Sequence, residues 1–273
     1  TAENNFMPTA EQLKPHIKGA ALVAICSPLN PTGTTFSKEE LEKICDLILE
    51  ENNSRAKGEK KLYLMFDQIY WTLTYGQTKH YDPVSVRPAM KDYTIYIDGI
   101  SKSFASTGVR VGWALGPVEV LIKMRSLNSH VGSWAPMAEQ KAVARFLNNR
   151  TAVDSYFEHF KNEILLRLNG IHEGLQKLKS EGFSVDSIEP QAAIYLTMKV
   201  DLVGKKKQDG KILEDQAQVT EFLLSEAKLA IVPFTAFGAE GKNPWYRLSV
   251  GTCKKEDIPV ILNNLKVAIE KLS

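Results

Sequence analysis

Three short apolar segments constrain the fold of this chain more than any other feature of its sequence. They lie at residues 21–26, 62–66 and 93–98, and loop-forming or polar residues follow each of them. A continuous apolar run of this length, bounded by turn residues, is typical of a strand that is covered on both faces in a parallel sheet. Helical patterns alternate with the three runs, so the sequence predicts an α/β fold.

A start signal and a helical period together predict the first long helix. Ser37 and Glu40 have the spacing of a capping box, and apolar residues at helical spacing continue to about residue 52. The first 19 residues are polar and carry two prolines, so we expect a connecting segment there with little more than a turn of helix. Further helices are predicted over residues 117–128, 137–148, 152–180, 216–226 and 255–272.

The pattern of elements changes after the helix at residues 152–180. Three further strands are predicted after it, at residues 194–200, 230–232 and 246–250. Helices lie between and after these strands, which is the order of an α+β domain. A chain of 273 residues is long enough for two domains. We therefore expect one domain at residues 1–150 and a smaller one at residues 151–273, joined by the long helix.

Composition narrows the classes of function. A formal net charge of +2 gives no reason to propose nucleic acid or an anionic membrane as a partner, and the longest apolar runs are too short to span a bilayer. The three cysteines show no CxxC spacing, so we expect reduced thiols in a cytoplasmic protein. The five histidines are scattered through the sequence, and we expect no metal site.

The richest candidate site follows the third apolar run. Ser101 and Lys102 come at the end of that predicted strand, and Arg110 stands eight positions after the lysine, before another short strand. A lysine at a strand end is partly desolvated, which favours the neutral amine that forms Schiff bases. An arginine nearby offers the rigid fork of donors that grips a phosphate. Taken alone, the stretch is explained almost as well by a solvated lysine and an ordinary arginine in a serine-rich loop.

The other predicted strands also lead into polar side chains. Asn30 follows the first run, and Asp67 follows the second with Tyr70 three positions later. In open α/β sheets, ligands bind beyond the carboxyl ends of the strands, so we expect these side chains to share one site. Asp67 and Tyr70 can also be a strand-end cap and a core aromatic, and Asn30 a turn former. Arg247 lies on an otherwise apolar strand, where a half-buried arginine needs an anionic partner.

Five motifs, in this order, closely resemble the fold type I pyridoxal-phosphate-dependent aminotransferases of class I/II. The motifs are Asn-Pro-Thr-Gly at 30–33, Asp-Gln-Ile-Tyr at 67–70, Ser-Lys at 101–102 through Arg-Val-Gly at 110–112, Pro-Gln-Ala-Ala-Ile-Tyr at 190–195, and Val-Pro at 232–233 through Tyr-Arg-Leu-Ser at 246–249. The resemblance implies that the first domain is part of a large, mostly parallel domain that binds the cofactor. It implies that the second domain is a smaller α+β domain.

The resemblance also implies how the cofactor, pyridoxal 5′-phosphate, is held. Lys102 would bind it as a Schiff base and would later carry a proton between the substrate and the cofactor. Asp67 would pair with the pyridine nitrogen and keep it protonated, so that the ring can absorb negative charge. Tyr70 and Asn30 would hydrogen-bond the oxygen at the 3′ position of the ring.

The same resemblance implies which residues bind the two anionic groups, the phosphate of the cofactor and the α-carboxylate of the substrate. Arg110, together with Ser101, would bind the phosphate of the cofactor. Arg247 would take the α-carboxylate of the substrate as a bidentate pair, and Asn30 would also contact the substrate.

This sequence departs from the family pattern in three ways. Family members carry a substantial segment before the first strand, so we expect this chain to be the C-terminal part of such an enzyme, binding the cofactor poorly and turning over little by itself. Gly99 stands where many members have a phosphate-binding serine. Residues 128–131 contain no arginine, although the aspartate-specific branch has one close by for the distal carboxylate. His130 or an upstream basic residue is the expected substitute.

The function expected from the resemblance is the transfer of an amino group between an L-amino acid and a 2-oxo acid. The protein would be similar to aspartate aminotransferases, would lie in the cytoplasm and would work as a homodimer. A lyase on the same fold is the nearest alternative, because Lys102, Asp67 and Arg247 would be shared. A non-catalytic regulatory relative is the second alternative, although no basic or helix-turn-helix segment favours it.

Overall fold

A computed structural model describes all 273 residues of the chain, which form two compact units. The first unit contains Glu3–Asn30 and Thr34–Glu158, and the second contains Pro31–Gly33 and His159–Ser273. The boundary between them lies within the long helix Arg150–Ser180. Each unit has a four-stranded sheet of its own.

The first unit is built on a mostly parallel sheet. Its strands are β1 (Leu22–Cys26), β2 (Tyr63–Asp67), β3 (Thr94–Gly99) and β4 (Gly112–Leu115), in the order β1-β2-β3-β4. β1, β2 and β3 pair in parallel, and β4 runs antiparallel to β3. The α/β fold with a mostly parallel sheet, predicted from the three apolar runs, is confirmed.

Six helices accompany this sheet. They are α1 (Ala10–Ile17), α2 (Lys38–Ser54), α3 (Pro83–Val86), α4 (Ile100–Ser103), α5 (Val118–Val131) and α6 (Met137–Leu147). α1 extends further than the single turn that the sequence predicts. Its start is fixed by a full capping box, in which Gln12 N–H donates to Thr9 Oγ1 at 3.2 Å and Thr9 N–H donates to Gln12 Oε1 at 3.0 Å.

The start of α2 differs from the prediction in one contact. Glu40 N–H donates to Ser37 Oγ at 3.1 Å, as a capping box requires. The Glu40 carboxylate instead accepts the N–H of Ala10, the first residue of α1, at 2.6 Å. Its negative charge therefore lies at the positive end of α1, where it stabilises that helix. Glu40 connects the two helices rather than closing the box on α2.

α2 covers one face of the first sheet. Its Leu41 and Ile44 are fully buried together with Leu64 and Phe66 of β2. Each side chain of this kind stabilises the fold by about 1.5–3 kcal/mol through its removal from water. Because side chains alternate along a strand, Asp67 at the end of β2 belongs to the opposite face from Phe66.

The second unit is α+β, as predicted. Its antiparallel sheet has the order β5-β6-β8-β7. Among the helices of the whole chain, none is both long and apolar enough to cross a membrane. The strands are β5 (Val185–Ser187), β6 (Tyr195–Val200), β7 (Val232–Pro233) and β8 (Trp245–Ser249). The helices are the C-terminal part of α7 (Arg150–Ser180), α8 (Gln216–Glu226) and α9 (Ile258–Glu270). β5 was not predicted, because three residues are too few to show a period.

Candidate active site

The parallel strands of the first unit end at one edge of the sheet, where several predicted site residues lie. The strand register pairs Cys26 with Asp67 and Asp67 with Ile97, so the ends of β1, β2 and β3 are neighbours. Asn30 follows β1, Asp67 is the last residue of β2, and Lys102 follows β3. The fold thus brings these three residue types to one edge, at the carboxyl ends where ligands bind in such sheets.

Asp67 is held in place by the main chain around it. Ile69 N–H donates to its Oδ1 at 3.1 Å, and Ser27 N–H donates to its backbone oxygen at 2.9 Å. The side chain is half-buried. Asp67 is therefore a strand-end cap, as the plainer reading of the sequence suggested. An ionised carboxylate has about four acceptor positions, so this single cap leaves it able to bind a protonated nitrogen.

Tyr70 lies in the turn that follows β2. Its side chain is 2% exposed, and Leu73 N–H donates to its backbone oxygen at 2.8 Å. A buried phenol normally directs its hydroxyl to a hydrogen-bond partner, which is a property that a ligand-binding tyrosine needs. The position of Tyr70 is consistent with the predicted role and equally with that of a core aromatic.

Lys102 lies in a short helix rather than in the loop that the sequence indicated. β3 ends at Gly99, and Lys102 lies half-buried within α4. Thr107 Oγ1 donates to the backbone oxygen of Ser101 at 3.0 Å, and Ala105 N–H donates to that of Lys102 at 3.2 Å. These bonds fix the backbone on both sides of the candidate nucleophile.

An aromatic cluster anchors the end of α4. The ring of Phe104 lies 4.8 Å from that of Phe157, 5.3 Å from that of Tyr156 and 5.4 Å from that of Phe146, measured between centroids. Aromatic rings at such distances attract one another beyond the effect of area burial. Because Phe104 is two residues from Lys102, the cluster restricts the movement of the lysine backbone.

Arg110 reaches the same edge of the sheet from β4. It stands two residues before Gly112, which pairs with Gly99 at the end of β3. The residue is exposed and has a left-handed backbone with φ of 61°. Such a conformation costs a non-glycine residue about 1–2 kcal/mol, and the Arg110 Nη1 bond to Thr107 O at 2.9 Å helps to hold it. A guanidinium has five donors, so this bond leaves capacity for an anion.

The backbone explains why position 99 is a glycine rather than a serine. A Cβ at Gly99 would lie 2.9 Å from Gly112 Cα and 2.9 Å from Val111 O. Both neighbours are main-chain atoms, which cannot move aside without disturbing the pairing of β3 and β4. The serine that many family members carry therefore does not fit here.

Gly99→Ser is accordingly expected to destabilise the protein by about 1–3 kcal/mol, the range for overpacking a tight site. Urea unfolding followed by circular dichroism measures the change. Gly108→Ser is the matched control, since Gly108 lies in the same segment and nothing comes within 4 Å of a Cβ placed there. Equal stability of the two variants would contradict this account of position 99.

Asp98 is a residue of this edge that the sequence did not single out. It is 8% exposed, and its carboxylate accepts the N–H of Trp71 at 2.9 Å and the N–H of Gly99 at 2.7 Å. Burial raises the pKa of Asp98, and the negative charge of Asp67 adds to the rise. The Trp71 bond ties the turn after β2 to the end of β3. A carboxylate inside an otherwise apolar strand was the signal that could have identified it.

Cys26 lies at the end of β1 but is unsuited to nucleophilic chemistry. Burial raises the pKa of its thiol to about 11, the charge of Asp67 also raises it, and a hydrogen bond from the backbone of Asn30 opposes the rise. The thiolate is the reactive form of cysteine, so Cys26 stays a protonated, unreactive thiol at neutral pH.

One cavity of the first unit is lined by residues other than the predicted site residues. It has a volume of about 1120 Å³, and its lining includes Trp71, Thr72, His80 and Thr94. Burial lowers the pKa of His80 to about 4, so its ring is neutral at physiological pH. None of the predicted site residues lines this cavity, although Gln68 and Trp71, in the turn that follows Asp67, do.

Arg247 belongs to the second unit, where two aromatic rings contact it. It lies half-buried on β8, between Thr197 of β6 and Val232 of β7. Its Cζ is 4.8 Å from the ring centroid of Tyr195 and 5.2 Å from that of Phe237. The sequence predicted the arginine but gave no role to either aromatic residue, because both contacts join residues far apart in the chain.

Comparison with known proteins bears on the identity of the chain. The family profile described as "Aminotransferase class I and II" matches residues 1–265. The aspartate aminotransferase of Bacillus sp. (strain YM-2) is 33% identical over 277 residues, covering 100% of this chain and 62% of the relative. A "Probable aspartate/prephenate aminotransferase" of Rickettsia felis is 30% identical, covering 93% of this chain and 58% of the relative.

Solved structures give the same result for the fold. The crystal structure of the aspartate aminotransferase from Rhizobium meliloti has a TM-score of 0.84 at 26% identity, covering 100% of this chain and 64% of that one. The Thermus thermophilus aspartate aminotransferase with maleate has a TM-score of 0.82 at 28% identity, covering 98% and 62%. The chain spans about three-fifths of the length of the curated relatives that it matches. Both its sequence and its fold place it in the class I and II aminotransferase family, whose aspartate aminotransferases use pyridoxal 5′-phosphate.

Proposed function

We propose that this chain carries the reaction centre of a pyridoxal-phosphate-dependent aminotransferase that moves an amino group between an L-amino acid and a 2-oxo acid. The observation that carries the proposal is the position of Asn30, Asp67 and Lys102 at the ends of three adjacent parallel strands. The curated relatives named aspartate aminotransferases make L-aspartate the first substrate to test.

The side chains at this edge fit the cofactor chemically. Lys102 offers an amine for the aldehyde, Asp67 a carboxylate for the ring nitrogen, and Tyr70 a phenol for the ring oxygen. Arg110 and Ser101 offer the guanidinium and the hydroxyl that bind a phosphate. When bound, pyridoxal phosphate supplies an electron sink for the negative charge that develops at the substrate's Cα.

Two residues manage the protons of the proposed reaction. Lys102 would hold the cofactor through its aldehyde carbon, and its amine, once freed by the substrate, would carry the proton from the substrate's Cα to that carbon. General acid–base work of this kind contributes typically 10²–10⁴-fold to a rate, as an order of magnitude. Asp67 keeps a proton on the ring nitrogen, because a nearby negative charge favours the protonated form.

The remaining site residues would hold the cofactor and orient the substrate. Tyr70 and Asn30 would donate to the ring oxygen, and Arg110 with Ser101 would hold the phosphate. Arg247 binds the substrate's α-carboxylate as a bidentate pair, a geometry that fixes direction as well as distance.

Three wider features belong to the same proposal. The two domains at residues 1–150 and 151–273 act as a cofactor-binding domain and a small domain. The intact protein works as a homodimer in the cytoplasm. The three cysteines, which form no disulfide here, are in keeping with a reducing compartment.

A single-turnover experiment on the intact gene product tests the proposal. After loading with pyridoxal phosphate and mixing with L-aspartate, we expect oxaloacetate in an amount equal to the sites and no ammonia. In transamination the amino group stays with the protein until a 2-oxo acid removes it, so adding 2-oxoglutarate should then yield glutamate.

The same experiment separates the alternatives. Ammonia released with every turnover would contradict the proposal and favour a lyase. A protein that binds the cofactor and releases neither product, with any of the common amino acids, would favour a non-catalytic relative. Replacing L-aspartate with succinate, which has no amino group, is the control.

A further inference from the structure

The guanidinium of Arg247 has two aromatic neighbours that come from different elements. Tyr195 lies on β6, two residues before Thr197, which pairs directly with Arg247. Side chains two apart on a strand share a face, so Tyr195 and Arg247 are diagonal neighbours on one face of the sheet. The Tyr195 ring centroid lies 4.8 Å from Arg247 Cζ, within the range of a cation–π contact.

The second ring is held by a short, sharply ended segment. Phe237 closes the 3₁₀ helix Phe234–Phe237, which follows β7 and ends at Gly238 with φ of 91°. Phe234 is buried and meets the Phe237 ring edge-on at 6.3 Å between centroids. This contact and the turn fix the ring of Phe237, whose centroid lies 5.2 Å from Arg247 Cζ.

The exposure of Phe237 separates it from an ordinary core residue. The residue is 44% exposed, although a large apolar side chain gains most from full burial. At this position Phe237 gains less free energy from burial than a core residue does, but its ring contacts the Arg247 guanidinium. A ring face attracts a guanidinium, and Arg is the cation most often found in such contacts.

We propose that Phe237 is a positioning residue, which together with Tyr195 holds the Arg247 guanidinium in the orientation that binds a substrate carboxylate. This inference rests on the proposed role of Arg247. Both rings present a face to the guanidinium, and a ring face offers no oxygen acceptor, so these contacts do not compete with a bidentate carboxylate for the N–H groups. Without the Phe237 ring, the Arg247 side chain samples more rotamers. A carboxylate then binds more weakly, because binding must also order the arginine.

Carboxylate binding to the 273-residue chain tests the role of Phe237 directly. The probe is sodium succinate at constant ionic strength, followed through the Nε–H signals of arginine in a ¹⁵N-arginine-labelled protein. Arg247→Lys identifies the signal of Arg247. We expect Phe237→Leu to shift this signal, because the ring current is lost, and to raise the dissociation constant of succinate roughly threefold to tenfold.

Two variants serve as matched controls. Phe237→Tyr keeps an aromatic face and is expected to bind succinate as the wild type does. Phe183→Leu removes a different ring of the same unit, one that lies over Lys266 at 5.4 Å, and is expected to leave succinate binding unchanged.

In the intact gene product, Phe237→Leu should raise KM for the amino acid while kcat stays near the wild-type value, a division that a loss of general stability does not produce.

Two results would overturn the inference. One is an unchanged dissociation constant in Phe237→Leu, and the other is an Arg247 signal that does not respond to succinate in the wild type. Neither bears on the attachment of the cofactor to Lys102, which is measured separately. Failure of that attachment would refute the proposed function while leaving the succinate result in place.

Discussion

Replacing Lys102 with alanine is expected to abolish the covalent attachment of pyridoxal phosphate and to lower turnover by about 10²–10⁴-fold. The attachment needs a primary amine, and in the proposed function the same amine moves the proton at the substrate's Cα, so one substitution would remove both functions. Borohydride reduction of the cofactor-loaded protein, followed by peptide mass spectrometry, measures the attachment. The modified peptide should contain residue 102 in the wild type and should be absent from Lys102→Ala.

Lys161→Ala is the control for this result. Burial lowers the pKa of Lys161, so a larger fraction of its amine is neutral than in an ordinary exposed lysine. It lies on α7, which carries none of the predicted site residues, and its removal should leave both attachment and turnover unchanged. Modification of Lys161 in place of Lys102, or attachment that persists in Lys102→Ala, would refute the assignment of Lys102.

Asp67→Asn is expected to lower turnover by about 10²–10³-fold while changing stability by less than about 0.5 kcal/mol. Asparagine keeps an oxygen that can accept the Ile69 N–H, so the strand-end cap is retained. It has no negative charge, so the ring nitrogen of the cofactor loses the partner that keeps it protonated. Steady-state turnover with L-aspartate and a urea unfolding curve measure the two quantities on one preparation of the intact gene product.

The comparison with Asp154→Asn makes the Asp67 result specific. Asp154 is an exposed residue of α7, and the same chemical change there should alter neither quantity. Near-normal turnover of Asp67→Asn would mean that Asp67 is a strand cap and no more. Parallel losses of turnover and stability would assign it a structural role.

Local patterns in the sequence were enough to predict most of the fold. The three apolar runs became β1, β2 and β3, and Ser37 begins α2 as predicted. The error at Glu40 involves a contact between distant residues. Glu40 has the spacing of a capping box, yet its carboxylate caps α1 because Ala10 comes close in the folded chain. No pattern within α2 could indicate that partner.

The residues of the candidate site also fall into two groups, those that local sequence patterns predicted and those that only the folded chain reveals. Lys102, Asp67 and Asn30 were predicted because each follows a strand, and the topology of a parallel sheet brings strand ends together. Asp98 and Phe237 were missed because their importance depends on Trp71 and Arg247, which reach them only through the folded chain. A sequence without coordinates can indicate which residues carry reactive groups more readily than which residues hold them still.

The close approach of Gly99 and Gly112 has a consequence for engineering a tighter grip on the cofactor. Copying a serine from a relative into position 99 would add a hydroxyl but would force the two strands apart, since the obstacle is backbone rather than a movable side chain. A new donor would have to be placed elsewhere, for example at Gly108, where nothing lies within 4 Å of an added Cβ. The spacing between β3 and β4 therefore limits the positions at which a new hydrogen-bond donor can be introduced.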